Sequence, residues 1–109
     1  MNFGTLTLFK VVLDSNTAKI NGGGLNTQPS GVSRLFQSTV SHNTSLGTGG
    51  GISNLGTTSI NGSQVRLNTG SSGGGIATGN NNFTLTSSIV KKNSPDNCNP
   101  LNTIPGCSN

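Results

Sequence analysis

The 109-residue chain contains no glutamate, no tryptophan and no tyrosine, and its only acidic residues are Asp14 and Asp96. Charged residues make up 7% of it, against roughly 25% in an ordinary soluble domain. That scarcity excludes a helical bundle, whose solvent faces rely on Glu, Lys, Arg and Gln. It also argues against charge-driven disorder, which needs high net charge. No apolar run approaches the ~20 residues of a membrane-spanning helix. Two isolated carboxylates restrict the chemistry as well. Glycoside hydrolysis flanks one bond with a carboxylate pair, and calcium-dependent lyase chemistry needs acidic ligands around the ion. One Asp near each end builds neither. A single histidine, His42, far from the two cysteines leaves no zinc set, so neither metal nor cofactor is expected.

What the chain has instead is Gly, Asn, Ser and Thr: 17, 16, 15 and 14 residues. They are periodic. Gly triplets stand at Gly22-Gly23-Gly24, Gly49-Gly50-Gly51 and Gly73-Gly74-Gly75. A second mark, aliphatic-x-x-Asn, recurs as Leu13…Asn16, Val40…Asn43, Val65…Asn68 and Val90…Asn93. Aligned on that Asn, Leu8, Leu35, Ile60 and Leu85 form another column, and Val11, Ser38, Ser63 and Ser88 a fourth. Leu25, Ile52 and Ile76 follow the triplets directly. Internal repeats of this length signal a solenoid. Local alternation such as Leu6-Thr7-Leu8 and Phe83-Thr84-Leu85, bounded by Gly and Asn, reads as strand.

Three short strands per ~25 residues predict an all-β parallel β-helix, a solenoid of about four coils over residues 1–93. Each coil buries its aliphatic residues only by stacking on the next. Neighbouring coils lie ~4.8 Å apart, so Asn16, Asn43, Asn68 and Asn93 are expected to form an amide ladder at a bend. The triplets supply positive φ and close backbone approach at a corner. Residues 94–109 carry all the cysteine and most of the proline, and read as a C-terminal cap closed by Cys98–Cys107, with the prolines ending the ladder. A bridge across so short a loop contributes roughly 2–3 kcal/mol and favours an oxidising compartment. The N-terminal rung shows no cap, so further β-helix coils, or a partner, are expected to meet it.

The Gly-Gly-Gly-Ile mark, as in Gly50-Gly51-Ile52 and Gly74-Gly75-Ile76, together with aliphatic-x-x-Asn, resembles secreted bacterial right-handed parallel β-helix proteins. These have the pectin-lyase-like architecture and polymorphic-outer-membrane-protein-like repeats. The terminal Pro95-Asp96-Asn97-Cys98 and Ile104-Pro105-Gly106-Cys107 are similar to the cap of such repeats. The resemblance implies a secreted or cell-surface protein; it does not fix a function, since such solenoids host lyases, hydrolases, adhesins and stalks.

Arg66 and Lys91 fall in one column with Lys92 beside them, a basic strip with His42 on a neighbouring coil. It could attract an acidic polysaccharide or cell-envelope polymer, or simply keep the surface solvated. Asp14, His42 and Ser41 fall in neighbouring columns, the raw material of a nucleophilic triad, without a nucleophile-elbow motif. Phe9 and Phe36 share a column and are expected to stack, as packing in preference to an exposed sugar platform; no basic-aromatic surface for nucleic acid is apparent. Outward Thr columns suggest ice binding, but Val32 and Arg34 interrupt them. Sequons occur at Asn43, Asn61 and Asn82. The expected role is non-catalytic: a structural, adhesive or glycan-contacting solenoid. Its rivals are the C-terminal part of a polysaccharide lyase or glycoside hydrolase with catalytic coils upstream, and an ice-binding solenoid.

Overall fold

A computed structural model describes residues 1–100 and 103–109. Leu101 and Asn102, inside the cap segment, lie outside the described residues. The first coil consists of β1 (Thr5–Phe9), β2 (Val12–Asp14), β3 (Thr17–Ala18) and β4 (Leu25–Thr27), and the second of β5 (Val32–Phe36), β6 (Thr39–Ser41), β7 (Thr44–Ser45) and β8 (Ile52–Asn54). The third has β9 (Thr57–Asn61), β10 (Gln64–Arg66) and β11 (Ile76–Thr78), and the fourth β12 (Phe83–Thr86), β13 (Ile89–Lys91) and β14 (Cys98–Asn99). All pairings are parallel and run from coil to coil. The chain is therefore a parallel β-solenoid of four turns with three main sheets. Sheet A is β4-β8-β11-β14, sheet B is β1-β5-β9-β12 and sheet C is β2-β6-β10-β13. A short fourth side, β3-β7, is prolonged by bridges through Thr69 and Ser94.

The register reproduces the sequence columns. Leu8, Leu35 and Ile60 stack in sheet B, Leu13, Val40, Val65 and Val90 in sheet C, and Leu25, Ile52 and Ile76 in sheet A. Leu35, Val40, Ile52, Val65 and Ile76 are fully buried. Their counterparts in the first coil, Leu8 and Leu13, are half-buried, because that rung has a neighbour on one side only. Cys98 takes the next place below Ile76 in sheet A. The ladder thus runs past Asn93 to Asn99, between two prolines that were expected to end it. Each proline stands outside the two residues that pair, so no ladder donor is lost.

The corners explain the polar composition. After each strand of sheet B one residue turns left-handed: Lys10, Gln37, Gly62 and Ser87, with φ between 48° and 59°. After each strand of sheet C another does so: Ser15, His42, Leu67 and Lys92, at 55° to 59°. A residue in that region leaves the regular ladder, and the following N–H needs another acceptor. Side chains of the next coil supply it. Asn16 N–H donates to Asn43 Oδ1 at 2.9 Å, Asn43 N–H to Asn68 Oδ1 at 2.9 Å and Asn68 N–H to Asn93 Oδ1 at 2.9 Å. The Nδ2 of Asn43, Asn68 and Asn93 then donates to the carbonyl of the middle residue of the preceding coil's strand in sheet C, as Asn68 does to Val40 O at 2.9 Å. The serine column works the same way: Val11, Ser38 and Ser63 N–H donate to Ser38, Ser63 and Ser88 Oγ.

The Gly triplets are the third corner, and each position has its own reason. The first glycine has positive φ, 66° at Gly49. A Cβ on the second, Gly50, would strike the carbonyls of Thr69 and Gly74 on the next coil, and one on the third, Gly51, would press on the Asn68 amide. The two sequence marks are therefore one contact.

Asn97 ends the amide column. It accepts from Asn93 N–H at 3.1 Å and from Asn93 Nδ2 at 3.0 Å. Asn97 is itself held by the chain terminus: its N–H donates to Asn109 Oδ1 and its Nδ2 to Ser108 O. The Cys98–Cys107 disulfide brings that terminus back. It secures the last rung of the ladder.

Two outcomes follow for stability. Asn68→Leu leaves Asn43 N–H without its acceptor in the core and removes the amide donor to Val40 O, so it should cost on the order of 3 kcal/mol in chemical denaturation. Asn16→Leu, at the exposed end, should cost well under half as much. Reduction, or Cys98→Ser with Cys107→Ser, should remove roughly 2–3 kcal/mol, and amide exchange should quicken first at Asn93 and Asn97.

Candidate functional site

Most outward strand positions are exposed, but sheet A is different. Its three-residue strands β4, β8 and β11 are buried at every position, outward residues included. Those outward residues, Asn26, Ser53 and Ala77, stack in register with Asn99 below them. They are recessed because the chain rises on both sides. One wall is the turn before the Gly triplets, with Ile20, Asn21 and Thr48; the other is the segment leaving sheet A, with Gln28, Leu55 and Gly79. The result is a groove along the solenoid axis, formed by cavities of about 230 and 460 Å³ that share Asn21 and Leu55. Asn99 and Pro100 stand at its C-terminal end and Met1 at the other.

The repeat varies in length only at these walls. From the sheet B aliphatic to the sheet C aliphatic and on to the Asn, the steps are the same in all four coils (Leu8-Leu13-Asn16, Leu35-Val40-Asn43, Ile60-Val65-Asn68, Leu85-Val90-Asn93). The connection leaving sheet A changes in each coil, from Leu25 to Leu35, Ile52 to Ile60 and Ile76 to Leu85, and the one entering it, alike from Asn16 to Leu25 and Asn43 to Ile52, shortens from Asn68 to Ile76. Loops on a rigid scaffold vary where binding surfaces are built. Chemically the groove offers side-chain amides, hydroxyls and aliphatic surface. Lys19 is the only charged residue among those lining it, and neither carboxylate is there. Asn21 Oδ1 accepts from Thr48 N–H at 2.9 Å and Gln28 Nε2 donates to Asn26 Oδ1 at 3.0 Å, which fixes the wall amides in place. Such a surface suits an uncharged, hydroxyl-rich chain that lies along the axis. The sequence carried one signal for it, the small residues Asn26, Ser53 and Ala77 directly after the buried aliphatics Leu25, Ile52 and Ile76.

Other candidates are placed as follows. Arg66 and Lys91 are paired in register on the outward face of sheet C, with exposed Lys92 at the adjoining corner. His42 stands in the same corner column as Lys92, with Leu67 between them, and directly follows Ser41, the register partner of Arg66. Arg66 buries its Nε without a hydrogen-bond partner. Among the described residues no Lys or Arg forms an ion pair. Asn43 is buried in the amide ladder, while the other sequon residues, Asn61 and Asn82, are exposed. The outward columns Thr5, Val32, Thr57 and Thr7, Arg34, Ser59, Thr84 occur on sheet B as read, with Arg34 exposed in their midst.

Asp14, Ser41 and His42 do meet. Ser41 Oγ donates to Asp14 Oδ1 at 2.7 Å, His42 Nδ1 lies 3.0 Å from the same oxygen, and Ser15 Oγ donates to Oδ2 at 2.8 Å. The carboxylate is the hub, and Ser41 donates to it directly instead of to the imidazole. This is a brace between the first two coils. The hydrogen bonds from Ser41, Ser15 and His42 hold the Asp14 carboxyl at about 2, below its ordinary 3.8.

Phe9 and Phe36 correct the expectation of packing. They stack in register but point outward from sheet B, and Phe9 is 59% exposed. Alternation decides this, because the inward places of β1 and β5 are taken by Leu6 and Leu8, and by Ser33 and Leu35. A buried polar network was also not foreseen: Thr58 Oγ1 donates to Asn54 Oδ1 at 2.9 Å and lies 3.2 Å from the Thr27 hydroxyl, beside the Thr27–Ser33 hydroxyl pair.

Compared with family models, with curated proteins and with solved structures, the chain matches none.

A depressed carboxyl contributes stability that is present above its unfolded pKa and lost as pH falls through the folded one. Melting temperature should therefore drop as pH is lowered from 3.8 toward about 2, and Asp14→Asn should remove that component. Circular dichroism melts on both proteins across this window check it.

Proposed function

We propose that the chain is a non-catalytic, glycan-contacting β-solenoid, a secreted or cell-surface module of adhesion or envelope architecture, and that the groove over sheet A receives the sugar chain. The observation that carries this reading is the recessed floor of Asn26, Ser53 and Ala77 between two walls that hold the repeat's only length variation. A sugar chain needs amides and hydroxyls for its hydroxyl groups and aliphatic patches for its ring faces, and the groove supplies both. Successive coils repeat the floor every ~4.8 Å, close to the advance of one residue in an extended polysaccharide. The floor is preorganised by the ladders, so little ordering opposes binding. Carboxylates for hydrolysis or for calcium-assisted elimination are missing from the groove. The resemblance to secreted pectin-lyase-like β-helices with polymorphic-outer-membrane-protein-like repeats agrees with this reading. So does the disulfide, which belongs to oxidising surroundings.

The basic strip of Arg66, Lys91 and Lys92 is a second contact in the same reading, toward acidic polysaccharide or cell-envelope polymer. The two contacts separate by salt. On an array of neutral and acidic glycans at physiological ionic strength, the protein should retain neutral chains in a salt-insensitive way. Ala77→Leu, which fills the groove floor, should weaken that retention roughly tenfold or more. An Arg66/Lys91/Lys92 triple alanine variant should keep it. Silence across the array, or Ala77→Leu binding like the unmodified protein with an unchanged melt, would overturn the groove reading.

A further inference from the structure

Resting on the glycan-contacting reading, we infer that sheet B carries a second, separate sugar site at its edge toward sheet C. There Phe9 and Phe36 form a stacking platform for a pyranose bearing a carboxylate. Both rings stand on the outward face, one strand spacing apart, and Phe9 is 59% exposed. Nothing in the fold requires them. The core beneath is complete without them, and the same column continues as Asn61 and Thr86 in the next two coils. With Phe9 exposed and Phe36 half-buried, in a chain with four Phe and no Trp or Tyr, the pair offers a surface that suits an occupant with a flat apolar face.

Charge selects the occupant. Lys10 follows Phe9 at the left-handed corner and holds its Nζ over the Phe9 ring, 5.2 Å from the centroid, a cation–π contact that a stacked sugar would replace by drawing the ammonium to its carboxylate. Arg34 lies two residues before Phe36 on the same outward face and is exposed. Neither cation forms an ion pair among the described residues, and the two carboxylates are engaged elsewhere: Asp14 with Ser41, Ser15 and His42, and Asp96 with Gly74 N–H. A ring stacked on the platform would present its carboxylate to one of these cations. Thr7 and Ser59, in the Arg34 column, border it with hydroxyls for the sugar's own. A uronic-acid residue has this combination of an apolar ring face, hydroxyls and one negative charge. A single-stranded nucleic acid also stacks on aromatic rings, but it needs a basic track along its backbone. The remaining strong cluster, Arg66, Lys91 and Lys92, is on sheet C and beyond.

The test uses the whole chain with a defined uronic-acid oligosaccharide, its methyl-esterified counterpart, a neutral glycan and a single-stranded oligonucleotide. In saturation-transfer NMR, irradiation of the aromatic protons should pass to the uronate ring. That signal should vanish in Phe9→Ala/Phe36→Ala. Affinity by calorimetry should fall about tenfold in that variant and by a similar factor in Arg34→Ala/Lys10→Ala, or on methyl esterification. Ala77→Leu should bind the uronate normally while losing the neutral glycan, and the Arg66/Lys91/Lys92 alanine variant should keep the aromatic saturation transfer, which reports on the rings alone. The platform is overturned if uronate binding survives loss of both rings, follows the sheet C strip or the groove variant instead, or yields to the oligonucleotide. Neutral glycan bound with no uronate bound would sink the platform and leave the groove reading standing. The reverse result would sink the groove alone. Matching amide spectra of each variant and the parent exclude misfolding as the cause.

Discussion

The fold depends on one hydrogen bond, made repeatedly: a backbone N–H just past a left-handed corner donating to a side-chain oxygen of the next coil. Parallel strands satisfy one another while straight, but a coil must bend, and every bend takes a residue out of the ladder. Asn43, Asn68 and Asn93 return the lost acceptor at one corner, and Ser38, Ser63 and Ser88 at another. The distance from strand to corner to strand is thereby fixed, which is why these two corners keep one length in four coils. The non-glycine residues at positive φ, such as Leu67 and Gln37, carry conformational cost that stacking in register offsets. The fully buried asparagines that follow such residues, Asn43 and Asn68, hold each coil to the next, so a break there propagates in both directions.

From this constraint the composition follows. A side chain that must accept an N–H from the neighbouring coil and also donate to a carbonyl, on the preceding coil for Asn and two residues back for Ser, is an amide or a hydroxyl, never a charge, since a buried charge in a stacked column would face its like at one strand spacing. The Gly triplets are set by the same column, because the Asn amide occupies the space a Cβ would need at Gly24, Gly51 and Gly75. Few charges, much Asn, Ser and Gly, and a minimal aliphatic core are therefore consequences of the architecture and say little about a ligand.

This division marks what was legible in the sequence. The period, the three aliphatic columns, the Asn and Ser columns and the disulfide could all be read, because inward positions repeat in kind: Leu35, Ile60 and Leu85, or Val40, Val65 and Val90. Other features depend on geometry that spacing does not carry. Asn97 belongs to the ladder, but it stands four residues after Asn93, not a full period, since the cap folds back. The role of Thr27, Asn54 and Thr58 as an internal network is hidden because a polar residue in a strand normally marks the outside. The Phe9–Phe36 column was legible as a column, yet its side was assigned from hydrophobicity when alternation with Leu8 and Leu35 pointed outward. The groove escaped because a recess is made by its walls, and the walls are the irregular part of the repeat.

Outward columns are also where chemical identity breaks. Down sheet C the outward places run Asp14, Ser41, Arg66 and Lys91, from acid to base, above an inward column that stays aliphatic throughout. On sheet B, Arg34 interrupts Thr7, Ser59 and Thr84, and two aromatics give way to Asn61 and Thr86. In a solenoid each coil contacts only its neighbours, so an outward residue can change without disturbing the corner bonds that hold the stack. Selection for folding acts on the columns facing in, and only selection for contact, or none, acts on those facing out. A regular lattice of identical outward side chains would fit a repetitive surface such as ice; these columns change every one or two coils. On the proposed reading, that suits a sugar chain contacting a coil or two more than a lattice spanning the whole face.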